Sequence, residues 1–268
     1  MLTSVLGGVN LCAVLAHQRH DRIVDLIRSE GSMRVRDLAD QLAVSDMTIR
    51  RDLDLLAGQG LIEKVHGGAA AVRNTSTFEP GFEAKQVQQQ DEKQRIAAAA
   101  AELVAPGAAI GLSAGTTTWA LAQLLTNVAN LTVVTNATST AHTLHRSHRT
   151  DQTIVLTGGI RTPSDALVGP LATAALERIH VDLLFLGIHG MDAEAGYTTP
   201  NLAEAEVNGA FIAAAERVIV VADHTKWGIR GLARIATLGD ADVLITDTRL
   251  PARAGSILTE AGTEVRRV

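Results

Sequence analysis

The sequence predicts an α/β protein, with a small helical head followed by a larger domain built on a mostly parallel, doubly wound sheet. Three observations carry this. Apolar residues in the stretch from 18 to 57 recur at helical spacing, and a glycine-bounded pair of short strands follows them. Beyond that stretch, short apolar runs recur at Ala109–Leu112, Leu131–Thr135, Thr153–Thr157, Val181–Leu186, Val218–Ala222 and Val243–Thr246, most of them separated by helical segments. Runs of this kind are strands buried on both faces. Finally, 46 % of the 268 residues are hydrophobic but only 3 % are aromatic. Ala, Val, Leu and Ile therefore carry the core, which suits helices on a parallel sheet better than an aromatic-rich sandwich. The length fits one small and one medium domain.

The single cysteine, Cys12, excludes an internal disulfide and fits a reducing compartment, so a cytoplasmic location is expected. Residues 1–16 are uncharged and mildly apolar. They lack a positive leader region and are interrupted by Gly7, Gly8 and Asn10. They read as a disordered extension or a misassigned start rather than a signal peptide, and nothing else approaches a membrane span. The formal net charge is −5. Between His17 and Asn74, nine basic residues balance nine acidic ones, so the whole deficit lies C-terminal to Asn74. A neutral head is weak evidence for nucleic acid, and the motif must carry that case.

The head, 17–73, reads as three helices and a wing. Ile23, Leu26 and Ile27 mark the first helix, and Val35, Leu38, Ala39 and Leu42 mark the second. Ser45 is a good N-cap for a third helix running to about Ala57, with Ile49, Leu53 and Leu56 facing inward. Met47, Arg50, Arg51 and Asp54 then face outward, with Thr48 on the flank. Two arginines near a helix start suit phosphate or guanine contacts in a major groove. After Gly58 and Gly60, the run Leu61–His66, Gly67-Gly68 and Ala69–Val72 reads as a hairpin wing with Lys64 and His66 on one face. The candidate DNA-contacting residues are Ser45, Met47, Thr48, Arg50, Arg51, Lys64 and His66. A three-helix packing module without a ligand is the alternative. A single recognition helix rarely suffices, so a homodimer or homotetramer is expected.

The polar stretch 74–90, with Pro80-Gly81, reads as a linker to the second domain, 91–268. There the clearest motif is Ser113-Ala114-Gly115-Thr116-Thr117-Thr118, which leaves a strand and opens a helix. Gly115 admits close backbone approach, and free N–H groups and hydroxyls at a helix start favour an anion such as phosphate. The motif is neither a Walker loop nor a dinucleotide fingerprint. An ordinary capped turn is the competing explanation. Other polar strand ends line up with it: Asn136, Gly158 with Gly159, His189 with Gly190, and Asp223 with Lys226. Strand ends of a parallel sheet share one rim, where ligands bind. Glu204 and Asn208 lie one turn apart on a later helix and suit sugar hydroxyls. These residues, with Ser113 and Thr116 to Thr118, make up the candidate effector site. His142, His145 and His148 recur every three residues but spread around a helix near its C-terminus. They read as dipole partners rather than metal ligands, and no metal or cofactor is expected.

At this point the residues resemble a known family. Val44–Leu61 (VSDMTIRRDLDLLAGQGL) and Val65–Ala69 (VHGGA) closely resemble the winged helix of DeoR-family repressors. The second domain resembles that family's sensor, similar in fold to ribose-5-phosphate isomerase. The resemblance runs through Ser113–Thr118, Leu131–Asn136 (LTVVTN), Thr157–Gly159, Ala166–Pro170 (ALVGP), Gly196–Pro200 (GYTTP), Glu204–Val207 (EAEV), Ala222–Trp227 (ADHTKW) and Val243–Asp247 (VLITD). It covers about residue 17 to the end. It implies a double-stranded DNA operator and a phosphorylated sugar or related effector that releases the repressor. Where the family usually has aspartate in the loop after the fourth strand, this chain has His189, which leaves the effector's identity open. The alternatives are a sugar-phosphate isomerase-like enzyme, with Glu204, Glu206, Asp223 and Lys226 as candidate groups, and a protein-interaction module. An isomerase has no use for the head.

Overall fold

The computed structural model describes residues 11–71, 76–77, 79 and 81–268. The chain divides into two compact units, Met1–Asn74 and Thr75–Val268.

In the first unit, helices α1 (Leu11–Glu30), α2 (Val35–Leu42) and α3 (Asp46–Gly58) pack around Ile23, Ile27, Leu38, Ile49, Leu53 and Leu56, all essentially inaccessible. Ala43 adopts a left-handed conformation that ends α2 and allows the tight turn, and Ser45 Oγ accepts from Thr48 N at 3.2 Å to start α3. The wing is a hairpin of β2 (Ile62–Val65) and β3 (Gly68–Ala71), closed by His66 and Gly67, the latter at φ +78°. A third strand, β1 (Ser32–Arg34), pairs antiparallel with β3. It is too short to show a period, so the sequence concealed it. The extension expected to be disordered through residue 16 is helical from Leu11, a stretch of helix-forming residues free of glycine and proline. Residues 1–10 lie outside the described residues.

The orientation of α3 has a polar fastener. Asp52 is buried at 6 % exposure, and it accepts from Arg19 Nε at 2.7 Å and shares a 2.8 Å hydrogen bond with His20 Nε2, both from α1. Burial disfavours the carboxylate, but the hydrogen bonds from Arg19 and His20 outweigh it and hold its pKa below the ordinary range.

The second unit begins with α4 (Phe82–Gln86), inside the stretch expected to be a linker, followed by α5 (Gln90–Ala101). Phe82, Ala84, Lys85 and Gln86 are tolerable helix formers, and turn-like Gly81 serves as the helix start. Residues 74, 75, 78 and 80 of that stretch lie outside the described residues. A seven-stranded sheet follows, with β4 (Ala109–Leu112), β5 (Thr132–Thr135), β6 (Thr153–Leu156), β9 (Val181–Leu186), β12 (Ala215–Val221), β14 (Val243–Thr246) and β15 (Glu264–Arg267). Between them lie α6 (Thr116–Leu125), α7 (Thr138–His145), α8 (Pro170–Leu176), α9 (Leu202–Ala213) and α10 (Ala252–Glu260). Two small antiparallel additions complete the unit: β7 (Ile160–Arg161) with β8 (Leu167–Val168), and β11 (Gly196–Thr199) between β10 (Gly190–Asp192) and β13 (Ala233–Ala236).

The order β15-β14-β12-β9-β4-β5-β6 is parallel throughout. Alternate residues serve opposite layers. Ile110, Leu112, Val133, Phe185, Ile219 and Ile245 meet the layer of Ile96 and Leu121, while Val134, Leu184, Leu186, Val220 and Leu244 meet that of Phe211 and Leu258. Six strands coincide with the expected apolar runs. The seventh, β15, is a polar edge strand without an apolar run. The chain enters at β4, winds out to β6, then returns to β9 on β4's other side, which makes the gap between β4 and β9 the topological switch point.

Asp52→Asn is expected to cost the first unit about 1–3 kcal/mol at neutral pH. Because the native carboxyl has the lower pKa, its contribution is present above the unfolded pKa and fades as pH falls through the folded one, so the deficit narrows in acid. Urea unfolding followed by helix dichroism at neutral and acid pH checks both; a deficit independent of pH would contradict the fastener.

Candidate functional site

Two surfaces collect the candidate residues. On the first unit, Ile49 and Leu53 anchor α3 inward, which leaves Met47 at 62 % exposure and Arg50 and Arg51 exposed beside it, with Thr48 half-buried. Ser45 is exposed but occupied as the cap. Lys64 and His66 are exposed on the wing, and the Lys64 ammonium pairs with the Asp54 carboxylate of α3. Helix face and wing thus present cations together within this unit, as expected, with one of them already matched to an acid.

In the second unit, the loops leaving β4 and β9 diverge at the switch point. Ser113 is wholly buried and its Oγ accepts from Gly187 N at 2.9 Å, so the two loops are tied at their base. Asn136, from the end of β5, accepts from Ala114 N at 2.9 Å and donates to Leu167 O at 3.2 Å. Above these ties opens a cleft of about 750 Å³, lined by Gly115, Thr116, Thr117, Asn136, His189, Glu204, Asn208 and Lys226 among the expected residues. Thr116 and Thr117, which open α6, line the same space as Lys226.

Six expected residues stand behind the cleft. Ser113 makes the tie just described. Thr118 is buried and donates to Gly115 O at 3.0 Å, which stiffens the loop from beneath. Asp223 accepts from Thr225 N at 3.0 Å and caps the turn that carries Lys226. Its pKa is lowered despite burial, because Lys226 and Lys93 stabilise the charge. Gly158 turns the chain at φ +77°. Gly159 and Gly190 are small because the carbonyls of Val168 and Ile229 pass within 2.5 Å of where a Cβ would stand. The structure places these six beside the cleft rather than on its lining, with Thr118 inside α6.

The cleft has walls that sequence reasoning missed, among them Phe82 and Lys85 of α4, Lys93 of α5, Ser164 and Thr199. Lys85 Nζ donates to Ser164 Oγ at 2.8 Å. Its pKa is lowered to about 8, first by desolvation and then by Lys226, against opposition from Glu204 and Glu79. Glu204 accepts from Thr162 Oγ1 at 2.7 Å and Thr199 Oγ1 at 3.0 Å. Burial, with Glu79 nearby, raises its pKa. Only the basic residue types of Lys85 and Lys93 could have drawn attention, and both sat in or near a stretch read as linker.

Of the triplet of histidines, His142 and His145 lie on α7, whereas His148 follows the helix in a left-handed conformation, so the three do not share one face. Among the described residues, no group of three or more His, Cys, Asp or Glu is placed to hold a metal. Trp119 donates to Thr143 Oγ1 at 3.0 Å and is met edge-on by Phe82. No helix among the described residues is long and apolar enough to cross a membrane.

Comparison with known proteins accounts for both units. Residues 19–75 match the family described as DeoR-like helix-turn-helix domain, and residues 88–248 match the DeoR C terminal sensor domain. The chain belongs to the DeoR family. Its relatives in that family include the HTH-type transcriptional regulator GlpR of Haloferax volcanii, 38 % identical over 94 % of this chain and 98 % of the relative. Another is the glycerol-3-phosphate regulon repressor of Escherichia coli (strain K12), 32 % identical over 91 % and 95 %. Membership makes the chain a DNA-binding transcriptional regulator, and α2, α3 and most of α1 fall within the matched helix-turn-helix span. A ribose 5-phosphate isomerase from Methanocaldococcus jannaschii aligns with 54 % of this chain and 57 % of its own, at 16 % identity and a TM-score of 0.40. No chemistry is transferred from that likeness.

Ser113→Ala leaves the half-buried Gly187 N–H without its acceptor and is expected to destabilise the second unit by about 1 kcal/mol. Urea titration checks it, and an unchanged midpoint would show that the loops are held by other means.

Proposed function

We propose that this chain is a repressor whose winged helix holds a DNA operator and whose sensor cleft takes a phosphorylated small metabolite that releases it. The observation carrying this reading is the composition of the cleft. The start of α6, at Thr116 and Thr117, and Lys226, whose ammonium has no hydrogen bond or ion pair among the described residues, line one space at the switch point of a parallel sheet. A phosphate there gains charge-assisted hydrogen bonds and the field of the helix terminus. Glu204 and Asn208, on one face of α9, suit the hydroxyls of the rest of the molecule. The name of the Escherichia coli relative, a glycerol-3-phosphate regulon repressor, agrees with a small phosphorylated effector. Glu204, the base an isomerase would need, is engaged by two threonine hydroxyls and holds its proton beyond the ordinary carboxylate range. The repressor acts in the cytoplasm as a dimer or tetramer, since paired half-sites need paired recognition helices.

Release requires that the effector bind the free state more tightly than the DNA-bound state. A thermal-shift screen of phosphorylated sugars, followed by operator binding with and without each hit, tests the proposal. No stabilising phosphorylated ligand, or no effect of one on operator binding, would reject it.

The double variant Arg50→Ala/Arg51→Ala is expected to fold normally and to lose about 1–3 kcal/mol of operator binding for each base-reading contact. Gel-shift titration at fixed salt measures this, and unchanged affinity would remove α3 as the reader.

Gly115→Glu should bind operator as the parent does yet resist release. Gly115 lines the cleft at φ +155°, a conformation L side chains rarely adopt, and the position of a Cβ lies 3.3 Å from Thr118 Oγ1, so a side chain there both strains the loop and crowds the ligand space. A carboxylate beside a phosphate costs several kcal/mol at partly desolvated distances of a few ångström. A folded variant released at the parental effector concentration would locate the phosphate elsewhere.

A further inference from the structure

The segment from Gly81 to Gln89 is attached to its unit partly through the cleft, while Gln89 at its far end is buried and hydrogen-bonded by Arg249. Helix α4 has no fully buried residue, so apolar burial contributes little to holding it. Its anchors are mostly polar. Lys85 Nζ donates to Ser164 Oγ, Phe82 N donates to Pro163 O at 3.0 Å, and Lys93 Nζ donates back to the carbonyls of Lys85 and Gln88. Phe82 adds one edge-on contact with Trp119, at 6.0 Å between ring centroids. Phe82, Lys85, Lys93 and Ser164 all line the cleft. A short helix fastened by groups that face a ligand space is sensitive to what occupies that space.

The charges around Lys85 come from several elements. Lys226 faces it from the turn after β12, Glu204 from α9, and Glu79 from the chain before α4. Lys93 of α5 approaches its carbonyl, while Asp223 acts on Lys226 and Lys93. Glu79 itself is kept ionised: burial opposes the charge, but hydrogen bonding with Ser164 and Asn201 and the neighbouring Lys85 outweigh it. Even so, burial and the second ammonium prevail at Lys85 over the two carboxyl groups. Two ammonium groups, Lys85 and Lys226, thus stand near each other at one cleft.

We propose that Lys85 is an anion-binding residue of the sensor cleft, and that its contact with a ligand phosphate couples occupancy of the cleft to the segment leading back to the winged helix. The proposal rests on the reading of the cleft as a phosphorylated-metabolite site. A phosphate lying between Lys85 and Lys226 replaces their mutual repulsion with two attractions. It also stabilises the charged form of Lys85, so binding takes up a proton where that lysine is partly neutral. The segment 81–89 then gains its firmest anchor from the ligand, and chain continuity passes that change to the residues before it.

The test uses the full chain with inorganic phosphate as probe, followed by calorimetry and by amide hydrogen exchange. Phosphate is expected to slow exchange over both 116–118 and 82–89. Lys85→Met should bind phosphate about tenfold more weakly or worse and leave 82–89 unprotected at saturation. Lys85→Arg, whose charge does not titrate, should hold its affinity relative to wild type as pH rises from about 7 to about 9, while wild type loses ground. This last comparison decides the matter if Lys85→Met fails to fold. Wild-type affinity in Lys85→Met, a pH course shared by wild type and Lys85→Arg, or protection confined to 116–118 would overturn the proposal and leave the sensor reading standing. A wild-type protein indifferent to phosphate would overturn both.

Discussion

The hydrogen bond from Gly187 N to Ser113 Oγ is the joint on which the sensor depends. Two adjacent parallel strands, β4 and β9, send their chains to opposite faces of the sheet, and a crevice at that divergence is unavoidable. Its shape is not given by topology alone. The buried serine ties the two loops at 2.9 Å, and Asn136 ties the first loop to Leu167 of β8. With the floor fixed in this way, the start of α6 borders a defined volume and does not have to be ordered when a ligand arrives, which is the economy of a preorganised site.

Charge in the cleft is arranged as opposition. Lys85, Lys93 and Lys226 meet three carboxyl groups, Glu79, Glu204 and the buried Asp223, and the environment pushes Glu79 and Glu204 in different directions. Glu79 keeps its charge through hydrogen bonding and Lys85. Glu204, more deeply desolvated, tends to keep its proton. The result is a positive region with a neutral hydrogen-bonding wall beside it, which matches a molecule that is anionic at one end and hydroxylated along its length.

Much of this was legible in the chain. Six of the seven strands announced themselves as apolar runs, five because a central parallel strand is buried on both faces and the edge strand β6 because Ile154 and Val155 still pack on the two layers, and the N-cap Ser45 and inward Ile49, Leu53 and Leu56 set the register of α3. The hidden parts share a physical cause. Strands β1 and β15 lack an apolar run, one being three residues long and the other a polar edge. Asp52 and Lys85 are charged residues held by partners distant in sequence, and no local pattern encodes a partner 33 or 79 positions away. The six expected residues that stand behind the cleft show the limit of strand-end reasoning. Position along a strand places a residue on the rim, whereas neighbouring hydrogen bonds decide whether it faces the ligand or supports one that does.

The exposed pair between Lys64 of the wing and Asp54 of α3 bears on how such a head finds its target. Counterion release rewards every unpaired cation brought to a phosphate, whatever the bases beneath. Here a wing cation is already answered by an acid on the reading helix, and the head as a whole carries as many acids as bases. A head of balanced charge draws less from the polyelectrolyte effect than a frankly basic one, and a wing lysine that must first leave its acid returns less still. An exposed pair of this kind is weak, about 0–1 kcal/mol, so it trims the sequence-blind part of an encounter with DNA without opposing contacts made to the bases.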